Sequence, residues 1–510
     1  MNQHAQSTWR QRQALAEELS SKRSDSQHIA GKRTVRERIA MLVDAHSFEE
    51  VDQLVVSPTL TPKLYTDGVV TGFGTVNGRQ VAIYAQDFTI KGGSLGKKHA
   101  EKICKIIDMA AKIGCPIIGL IDSGGARIDE GIHALSGYGQ IFSRNVRYSG
   151  VVPQISLILG PCAGGAAYSP ALTDFIIMTK GTSQLFITGP QVIEQVSNQK
   201  VTKEELGGWQ VHGTQSGLAH LVANSEQEAF YQLKQLLGYL PQNYLSPVAH
   251  LEPESVMEEF ASLATTLPEN PSQTYDMRHI IFGIIDQNSY YELQAQFASN
   301  IITAFARIKG RAVGIVANQP LVKAGTIDID ASTKAARFIQ CCNNFGIPVV
   351  SLVDVPGYLP GIEQEHQGII RHGAKLLHAY AQATVPKITV IVRKAFGGAY
   401  IVMGSKELGA DFNFAWPTAQ IAVLGARSAI TILHAKQLAV LQDHDRILKQ
   451  LELEKEYEET FLNPYIAAEH GYIDAIIDPS KTRHHISKAL EITQEKVEHL
   501  PRKKQSNCPL

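Results

Sequence analysis

The feature that most constrains the fold is an internal duplication. Four segments of the first half recur in the same order in the second half, three of them at an offset of 232 (310 − 78) or 233 (398 − 165) residues. The pairs are 43–48 with 285–290, 78–83 with 310–315, 115–122 with 347–354, and 163–166 with 396–399. Self-similarity of this kind is the signature of a repeated structural unit. We therefore predict two homologous domains, 1–250 and 251–510, with the boundary inside the proline-rich stretch 241–273.

Short apolar runs alternate with amphipathic stretches in each half. The predicted strands are 81–85, 116–122 and 154–159 in the first half, and 313–317, 348–354 and 387–392 in the second. The predicted helices are 97–113 and 136–148, then 332–345 and 368–382. Continuous apolar runs are typical of strands buried on both faces of a parallel sheet. The alternation predicts an α/β fold, in which ligands bind at the carboxyl ends of the strands.

Composition places the chain among globular proteins and excludes some classes of function. Hydrophobic residues make up 44% of the chain, charged residues make up 19%, and the net charge is -1. A charge near zero provides no field that would gather nucleic acid. The charge-free stretch 148–173 is interrupted by three prolines, so we expect buried strand and loop there instead of a membrane helix.

The cysteines and the N-terminal segment indicate a cytoplasmic protein. None of the six cysteines forms a C-x-x-C pair, a pattern that suits a reducing compartment. Residues 1–34 are polar and charged, without the apolar core of a signal peptide. We therefore expect the protein in the cytoplasm.

A glycine pair follows a predicted buried strand in both halves, in AGGA at 163–166 and FGGA at 396–399. Glycine lets the backbone approach a ligand closely and turn its N–H groups outward. Two such N–H groups at the start of a helix form an oxyanion hole, suited to an enolate or a urea-type oxygen. One Gly-Gly pair is more often just a tight turn. Its repetition at matching places of a duplicated domain favours a functional role.

Several common motifs do not occur in the sequence. The segment GGSLGKK at 92–98 lacks the spacing and the Ser or Thr of a Walker loop, and GFG at 72–74 lacks the third glycine of a dinucleotide site. The first of these segments is then either a flexible basic loop or a contact for a ligand phosphate. H-E-x-x-H is not present, and G-x-S-x-G occurs only as GGSLG at 92–96, within the first of these segments. We predict no metal site in this chain.

Longer motifs carry a resemblance to a known family. In the first half they are DGVVTG (67–72), GGSL (92–95), DSGGAR (122–127) and GPCAGGA (160–166). In the second half they are DVPG (354–357), IIRHGAK (369–375), GGAY (397–400) and AWPTAQ (415–420). On these motifs the chain resembles, across 33–475, the carboxyltransferase (beta) subunits of propionyl-CoA and related acyl-CoA carboxylases.

The resemblance implies a duplicated crotonase-like fold, a ring-shaped hexamer and an active site that spans a subunit interface. It implies that the N-terminal domain binds acyl-CoA and that the C-terminal domain of a neighbouring subunit binds biotin. In this family, backbone amides hold the thioester oxygen, here at Gly164 and Gly165, and the biotin ureido oxygen, here at Gly398 and Ala399. The loop residues expected to bind the substrates are Gly124, Gly125, Ala126, Arg127, Ala166, Gly357, Tyr358, Gly397, Tyr400 and Ile401.

The implied reaction needs no side-chain base. Carboxybiotin releases CO2, its ureido nitrogen takes the α-proton of the acyl-CoA, and the enolate attacks CO2. Both reacting oxygens gain negative charge, which preorganised backbone donors stabilise. Ile401, directly after the second amide pair, presents an apolar side chain near the pocket. We expect it to help set the preference for propionyl-CoA or acetyl-CoA.

The sequence contains no biotin-accepting Met-Lys-Met segment and no ATP-binding glycine loop. We therefore expect the chain to need a biotin carboxylase and a biotin carboxyl carrier subunit or domain. One alternative is the alpha subunit of a biotin-dependent malonyl-CoA or methylmalonyl-CoA decarboxylase, which runs the same transfer in reverse and hands carboxybiotin to a membrane partner. A second alternative is a non-catalytic acyl-CoA-binding homologue.

Three positions depart from the family's pattern. Phe396 stands where Tyr or Ser is usual, Arg427 replaces a Glu or Gln, and Trp209 is unusual at its place. These departures leave the identity of the acyl-CoA open.

Overall fold

The computed structural model describes residues 6–12, 14, 24–58, 63–251, 261–270, 272–502, 504 and 506–509. The chain divides into two compact units, Met1–Pro247 and Val248–Leu510. Two prolines of the predicted boundary region, Pro253 and Pro271, lie outside the described residues. Across the described residues, no helix combines the length and the apolar character needed to cross a membrane.

Unit 1 is built on one eight-stranded sheet. Its strands are β1 (Glu49–Val51), β2 (Val69–Val76), β3 (Arg79–Gln86), β4 (Ile117–Ser123), β5 (Gln154–Ala163), β6 (Phe175–Thr179), β7 (Gln184–Phe186) and β8 (Leu221–Ala223). They run in the order β1-β2-β3-β4-β5-β6-β8, and β7 pairs with the end of β5. The pairs β1–β2 and β2–β3 are antiparallel, and the remaining pairs are parallel.

Helices connect these strands. The helices of unit 1 are α1 (Ser24–Ile29), α2 (Val35–Leu42), α3 (Lys97–Ile113), α4 (Ile132–Arg147), α5 (Gly165–Ala171), α6 (Pro190–Ser197), α7 (Lys203–Gly207) and α8 (Glu226–Tyr239). Short helical turns lie at Tyr65–Gly68, Lys91–Gly93, Ile128–Glu130 and Val211–Gln215.

Unit 2 repeats the sheet with the same sequence of pairings. Its strands are β9 (Tyr291–Leu293), β10 (Ile301–Ile308), β11 (Arg311–Asn318), β12 (Val349–Val355), β13 (Lys387–Phe396), β14 (Phe412–Ala415), β15 (Gln420–Ala422) and β16 (Ala475–Ile476). They run in the order β16-β14-β13-β12-β11-β10-β9, and β15 pairs with the end of β13 as β7 does with β5. The pairs β9–β10 and β10–β11 are antiparallel, and the others are parallel.

The helices of unit 2 include an additional helical segment after β15. They are α9 (Arg278–Ile284), α10 (Ile329–Asn344), α11 (Ile362–His366), α12 (Ile369–Gln382), α13 (Gly397–Val402), α14 (Ala426–Leu433), α15 (Ala435–Ala439), α16 (Asp443–Phe461), α17 (Tyr465–Glu469) and α18 (Thr482–Ile492). Short turns lie at Ala261–Thr265, Lys323–Gly325, Lys406–Leu408 and Pro479–Lys481.

Local sequence explains the elements that lead to the site. All seven positions of β4 and all seven of β12 are buried, as expected of central strands covered on both faces. Helix α3 spans the predicted bounds and buries one face, and Gly114 ends it in the left-handed conformation (φ 77°). The predicted strand after 154 is longer than expected, because β5 continues to Ala163 by pairing with β7.

Candidate active site

In unit 1, the loops that follow β4 and β5 lie against each other. A Cβ atom added to Gly125 (φ 104°) would lie 3.0 Å from the carbonyl oxygen of Ala163, so this glycine is required for the close approach of the two loops. Ala126 forms a parallel bridge with Leu95. The structure thus brings the predicted residues 124–127 next to the predicted residues 164–166.

Three backbone N–H groups in this region are available to a ligand. The N–H of Ala126 has no acceptor among the described residues, since Leu95 bonds the residues on either side of it. Gly165 and Ala166 are the first residues of α5, and the first N–H groups of a helix have no acceptor within that helix. Donors converging on one point can stabilise a developing oxyanion.

The Gly164 amide has an acceptor within the fold. Its N–H donates to the carbonyl of Phe186 at 3.0 Å, in the short stretch where β5 pairs with β7. The contact of Gly164 with the thioester oxygen stays a prediction, and the N–H groups of the next two residues have no such acceptor. The contribution of Gly164 is its left-handed backbone (φ 59°), which turns the chain from β5 into α5 and points the next amides outward.

Arg127 also has partners within the fold. Its side chain is 2% exposed and its guanidinium donates to the Asp67 carboxylate at 2.9 Å and to the Glu130 carboxylate at 2.7 Å. A further bond joins it to the carbonyl of Ser94 at 3.0 Å. A buried guanidinium with these partners stabilises the loop, and a contact of Arg127 with substrate stays a prediction.

Tyr138 explains why residue 165 is glycine. A Cβ atom added to Gly165 would lie 2.7 Å from the Tyr138 ring, so the ring packs directly against the backbone of the loop. The Tyr138 hydroxyl is buried and has no hydrogen-bond partner among the described residues. No motif in the sequence points to this tyrosine. Only its position on α4, which the predicted helix 136–148 covers, could have suggested it.

Unit 2 has an apolar cleft of about 410 Å³ at the matching strand ends. It brings together three predicted site residues, Tyr358, Gly398 and Ile401. The remaining lining residues are Glu365 of α11, five residues of α12 and Val402 of α13. Those of α12 are Ile369, Ile370, Gly373, Ala374 and Leu377. Tyr400 does not line this cleft, and its buried hydroxyl has no hydrogen-bond partner in the part of the chain that the structure describes.

The backbone of unit 2 repeats the arrangement of donors in unit 1. Gly398 and Ala399 lie in the first turn of α13, where N–H groups have no acceptor within the helix. Tyr358 follows Gly357 (φ 150°) and forms a bridge with Ile327, the counterpart of the bridge formed by Ala126. The Tyr358 N–H has no acceptor among the described residues. Ala126 and Tyr358 were predicted as binding residues, but the sequence gives no sign that their backbone amides are available as donors.

The two positions of the second pair are occupied by glycine for different reasons. Gly397 is left-handed (φ 58°), and a Cβ atom on it would lie 3.1 Å from the carbonyl of Val423. Gly398 has an ordinary φ, and a Cβ atom on it would meet no atom within 4 Å. Neither backbone strain nor packing therefore requires glycine at 398. Access of a ligand to the backbone stays the predicted reason for this glycine.

The aspartates at the ends of β4 and β12 serve the fold. Asp122 is fully buried and pairs with Lys32 and Arg38. Asp354 accepts from Arg393 Nε at 3.0 Å and from the Tyr275 hydroxyl at 2.9 Å. Carboxylates neutralised in this way are not available as bases. Among the described residues there is no group of three or more potential metal ligands.

The structure places the three departures from the expected pattern at different sites. Phe396 is 8% exposed and packs with Ala426 and Leu462, so it anchors the helical segment that follows β15. Trp209 lies under the ammonium group of Lys180, 4.6 Å from the ring centroid. Arg427 is exposed on the first turn of α14, and no ion pair involves it within the described residues.

Comparison with known proteins identifies the family. The profile of the family described as Carboxyl transferase domain matches residues 26–508, nearly the whole chain. This chain belongs to the carboxyl transferase family. Membership confirms the predicted resemblance and makes the chain an enzyme, so the non-catalytic alternative is wrong.

Carboxyl transferases of several sources are similar to this chain over almost their whole length. The propionyl-CoA carboxylase beta chain of Saccharopolyspora erythraea is 53% identical, over 95% of this chain and 92% of that protein. The biotin-dependent acetyl-/propionyl-coenzyme A carboxylase beta5 subunit of Mycobacterium leprae is 52% identical, over 95% and 91%. The methylmalonyl-CoA decarboxylase subunit alpha of Veillonella parvula is 51% identical, over 96% and 95%.

A solved carboxyl transferase structure has the same fold. The transcarboxylase 12S crystal structure, described as a hexamer assembly with methylmalonyl-coenzyme A bound, matches with a TM-score of 0.95 at 47% identity. The match covers 99% of this chain and 98% of that one. The predicted duplicated, crotonase-like α/β fold is confirmed.

Proposed function

We propose that the protein transfers a carboxyl group between biotin on a separate carrier protein and the α-carbon of a short-chain acyl-CoA. The observation that carries this proposal is the repetition of the donor arrangement. Each half ends a long strand in a glycine pair and presents N–H groups from two adjacent loops. A carboxyl transfer between an acyl thioester and a urea develops negative charge on two oxygens, and two such sets of donors match that requirement.

The acyl-CoA oxygen is assigned to unit 1, within the predicted domain 1–250. The available donors there are the N–H groups of Ala126, Gly165 and Ala166. They stabilise the enolate oxygen of the thioester as its α-proton leaves. Removing one preorganised donor of this kind typically raises a barrier by about 2.7–4 kcal/mol. The fixed backbone of the loop, braced by Arg127, costs no reorganisation during the reaction.

Biotin is assigned to unit 2, within the predicted domain 251–510, where the residues present fit a urea ring. The cleft is apolar, Gly398 leaves its floor open, and Tyr358, Gly398 and Ala399 offer N–H groups to a carbonyl oxygen. When bound, carboxybiotin supplies the carboxyl group and a ureido nitrogen that accepts the α-proton. The chain itself contributes orientation, exclusion of water by the apolar lining, and hydrogen bonds to the ureido oxygen.

The acyl group is proposed to be propionyl or acetyl. Two of the relatives are named for propionyl-CoA or for both acetyl- and propionyl-CoA, and the similar solved structure holds methylmalonyl-coenzyme A. Ile401 lines the cleft of unit 2 and stays the predicted determinant of chain-length preference.

The direction of transfer has a second candidate. The decarboxylase subunit of Veillonella parvula is 51% identical, against 53% for a carboxylase beta chain, so identity does not separate the two. The same donors serve both directions, because a catalyst lowers the barrier for the forward and reverse steps alike. ATP- and bicarbonate-dependent carboxylation with partner subunits supports the carboxylase. Sodium dependence with a membrane partner supports the decarboxylase.

The assembly is proposed to be a homohexamer with active sites at subunit interfaces, served by a biotin carboxylase and a biotin carboxyl carrier. The similar solved structure is described as a hexamer. A cytoplasmic location is part of the same proposal, supported by the six cysteines, none of which forms a disulfide within the described residues.

Decarboxylation without ATP tests the proposed chemistry. The purified protein is incubated with malonyl-CoA or methylmalonyl-CoA, with and without free biotin, and the acetyl-CoA or propionyl-CoA formed is measured. Biotin-stimulated loss of CO2, faster on one substrate, is the expected result. Absence of turnover on both substrates, also after addition of the cognate biotinylated carrier, would contradict the proposal.

A further inference from the structure

The chain after α6 encloses strand β7, a strand of only three residues. Helix α7 leads into a wide helical turn, Val211–Gln215, closed by a bond from Ser216 N–H to the carbonyl of Val211 at 2.9 Å. Turns of this π type are rare and occur frequently at functional sites. Gly207 packs so closely on the carbonyl of Leu185, in the middle of β7, that a Cβ atom would overlap it.

His212, on the wide turn, bonds the same carbonyl. Its Nε2 lies 2.8 Å from the oxygen of Leu185 and its Nδ1 lies 2.8 Å from Oγ of Ser216. Because a carbonyl oxygen only accepts, Nε2 carries the proton, and Nδ1 of the neutral ring accepts from the serine hydroxyl. Burial lowers the pKa of His212, which keeps the ring in this neutral form. Both ring nitrogens are used, so the imidazole is not a base.

The bonds continue from β7 to the first amide loop. Leu185 is in register with Cys162 of β5. The next carbonyl of β7, that of Phe186, accepts the N–H of Gly164 at 3.0 Å. The residue after Gly164 is Gly165, whose N–H is a proposed donor to the thioester oxygen. Two hydrogen bonds, from His212 to Leu185 and from Gly164 to Phe186, therefore link the imidazole to the residue that precedes the proposed donor Gly165.

Two further contacts hold the enclosing segment in place. Nε2 of Gln184, the first residue of β7, donates to the Glu204 carboxylate at 3.1 Å. The ammonium group of Lys180, the residue after β6, lies over the ring of Trp209 in a cation–π contact. Trp209, the unexpected residue of the sequence, thus ties the turn that carries His212 to the sheet.

We propose that His212 is a positioning residue for carboxyl transfer: it holds β7, and through β7 the Gly164 amide, so that the N–H groups of Gly165 and Ala166 converge on the thioester oxygen. The inference rests on the function proposed above. It concerns a residue whose two ring nitrogens both bond within the chain. A displacement of about 1 Å in a catalytic group can cost about 10²-fold in rate, so a small shift of β7 is sufficient for a measurable effect.

The test compares His212→Leu, which removes both ring nitrogens, with His212→Gln, whose amide can still donate to the carbonyl of Leu185. Biotin-stimulated decarboxylation of methylmalonyl-CoA gives kcat and KM. Calorimetry gives Kd for CoA itself and for a nitro analogue of propionyl-CoA, whose nitronate oxygens imitate the enolate. We expect His212→Leu to lower kcat and to weaken the nitronate by about 10²-fold, with Kd for CoA unchanged. His212→Gln is expected to restore most of the loss.

His220 provides a matched control, because its Nδ1 accepts the N–H of Ile176, which lies in β6. His220→Leu should lower Tm and leave the ratio of nitronate to CoA affinity as in the wild type. A folded His212→Leu protein with wild-type kcat and nitronate affinity, or with CoA affinity lost in parallel, would overturn the inference. If the His212→Leu protein does not fold, His212→Asn is used in its place, because an asparagine side chain is too short to reach the carbonyl of Leu185. Equal nitronate affinity of the His212→Asn and His212→Gln variants would also overturn the inference.

The two proposals fail in distinguishable ways. A wild-type protein that binds the nitronate tightly but shows no biotin-stimulated turnover contradicts the proposed reaction and leaves the positioning role to be decided by the binding ratios. Biotin-stimulated turnover that is insensitive to His212→Leu contradicts only the positioning role.

Discussion

At the scale of single residues, the glycines of the two amide loops are there for different reasons. Gly164 and Gly397 turn the chain in the left-handed region, at φ 59° and 58°. Gly165 makes room for the Tyr138 ring, whereas nothing in the described chain approaches the missing side chain of Gly398. Of these four glycines, only Gly398 is not required by backbone conformation or packing, and it lies in the cleft assigned to biotin.

This difference predicts opposite outcomes for two neighbouring substitutions. Gly398→Ala should leave Tm unchanged or slightly raised, because alanine is favoured over glycine in a helix by up to about 1 kcal/mol. The same change should lower biotin-stimulated decarboxylation by at least about tenfold, since a methyl group then stands in front of the donors. Steady-state rates and thermal unfolding of the purified variant check both parts.

Gly397→Ala is the control. A left-handed conformation costs a non-glycine residue about 1–2 kcal/mol, and its Cβ would press on the carbonyl of Val423. We expect a lower Tm for this variant. An equal loss of Tm in both variants would show that Gly398 also serves the fold and would contradict the assignment of its open side to a ligand.

Ile401 should influence the choice of acyl-CoA. Its side chain lines the apolar cleft of unit 2, so Ile401→Asp places a charge against a surface that now accepts apolar groups. We expect the ratio of kcat/KM for propionyl-CoA over acetyl-CoA to change, while Ile401→Val keeps the wild-type order. An unchanged ratio in the Asp variant would rule out this role.

At the scale of elements, the duplication extends to polar contacts that the sequence comparison did not reveal. Lys102 of α3 and Lys334 of α10 lie 232 residues apart (334 − 102), and both are 2% exposed. Lys102 donates to the carbonyls of Thr66 and Val69. The Nζ of Lys334 lies within hydrogen-bonding distance of four carbonyls in the stretch that leads from β9 into β10, and its three N–H groups are shared among them. Each lysine ties a helix to the chain entering the antiparallel part of its sheet.

Replacing these lysines should destabilise the protein unequally. Loss of a partner from a buried polar group costs about 1–3 kcal/mol, and Lys334→Met leaves more carbonyls unpaired than Lys102→Met. We expect both variants to unfold at lower denaturant concentration than the wild type, with the larger shift for Lys334→Met. Equal shifts would indicate that water replaces the lysine in unit 2.

The start of α2 should depend on pH. The side-chain hydrogen bond with His28, together with the Thr34 backbone, lowers the pKa of Glu37 from 4.5 to about 2. A carboxylate with a lowered pKa stabilises the folded state above its unfolded pKa, and this contribution disappears as the pH falls from 4.5 towards 2. Amide hydrogen exchange in α2 should therefore show a difference between the wild type and Glu37→Gln at pH 6 that shrinks at pH 3. A difference independent of pH would contradict the role of the charge.

Element positions were predictable from the sequence more reliably than hydrogen bonds. Apolar runs and amphipathic periodicity located β4, β12 and α3 closely, because each buries a pattern that is local in the chain. The bonds of Gly164 and Arg127 were not predictable, since their partners come from strands and loops distant in sequence. His212 gave no signal in the sequence, because a wide turn leaves no periodic pattern.

At the scale of the whole molecule, two units of one fold present different surfaces at equivalent strand ends. In unit 1, Tyr138 closes the space behind Gly165, while in unit 2 the equivalent glycine opens into an apolar cleft. Duplication followed by this divergence explains how one chain can offer similar backbone donors to two chemically different oxygens. The family was recognisable from the sequence because the motifs of both loops are long. The acyl group and the direction of carboxyl transfer were not predictable, because both depend on a few side chains and on partner proteins.

Transfer of a labelled carboxyl group tests the central claim most directly. The protein is mixed with methylmalonyl-CoA labelled with ¹³C in its free carboxyl group and with unlabelled acetyl-CoA, with and without the biotinylated carrier, and malonyl-CoA is analysed by mass spectrometry. We predict labelled malonyl-CoA only when the carrier is present, and at least about tenfold less of it with Gly398→Ala or with a Gly165 variant. Formation of labelled malonyl-CoA without biotin, or turnover that survives loss of either amide loop, would contradict the account.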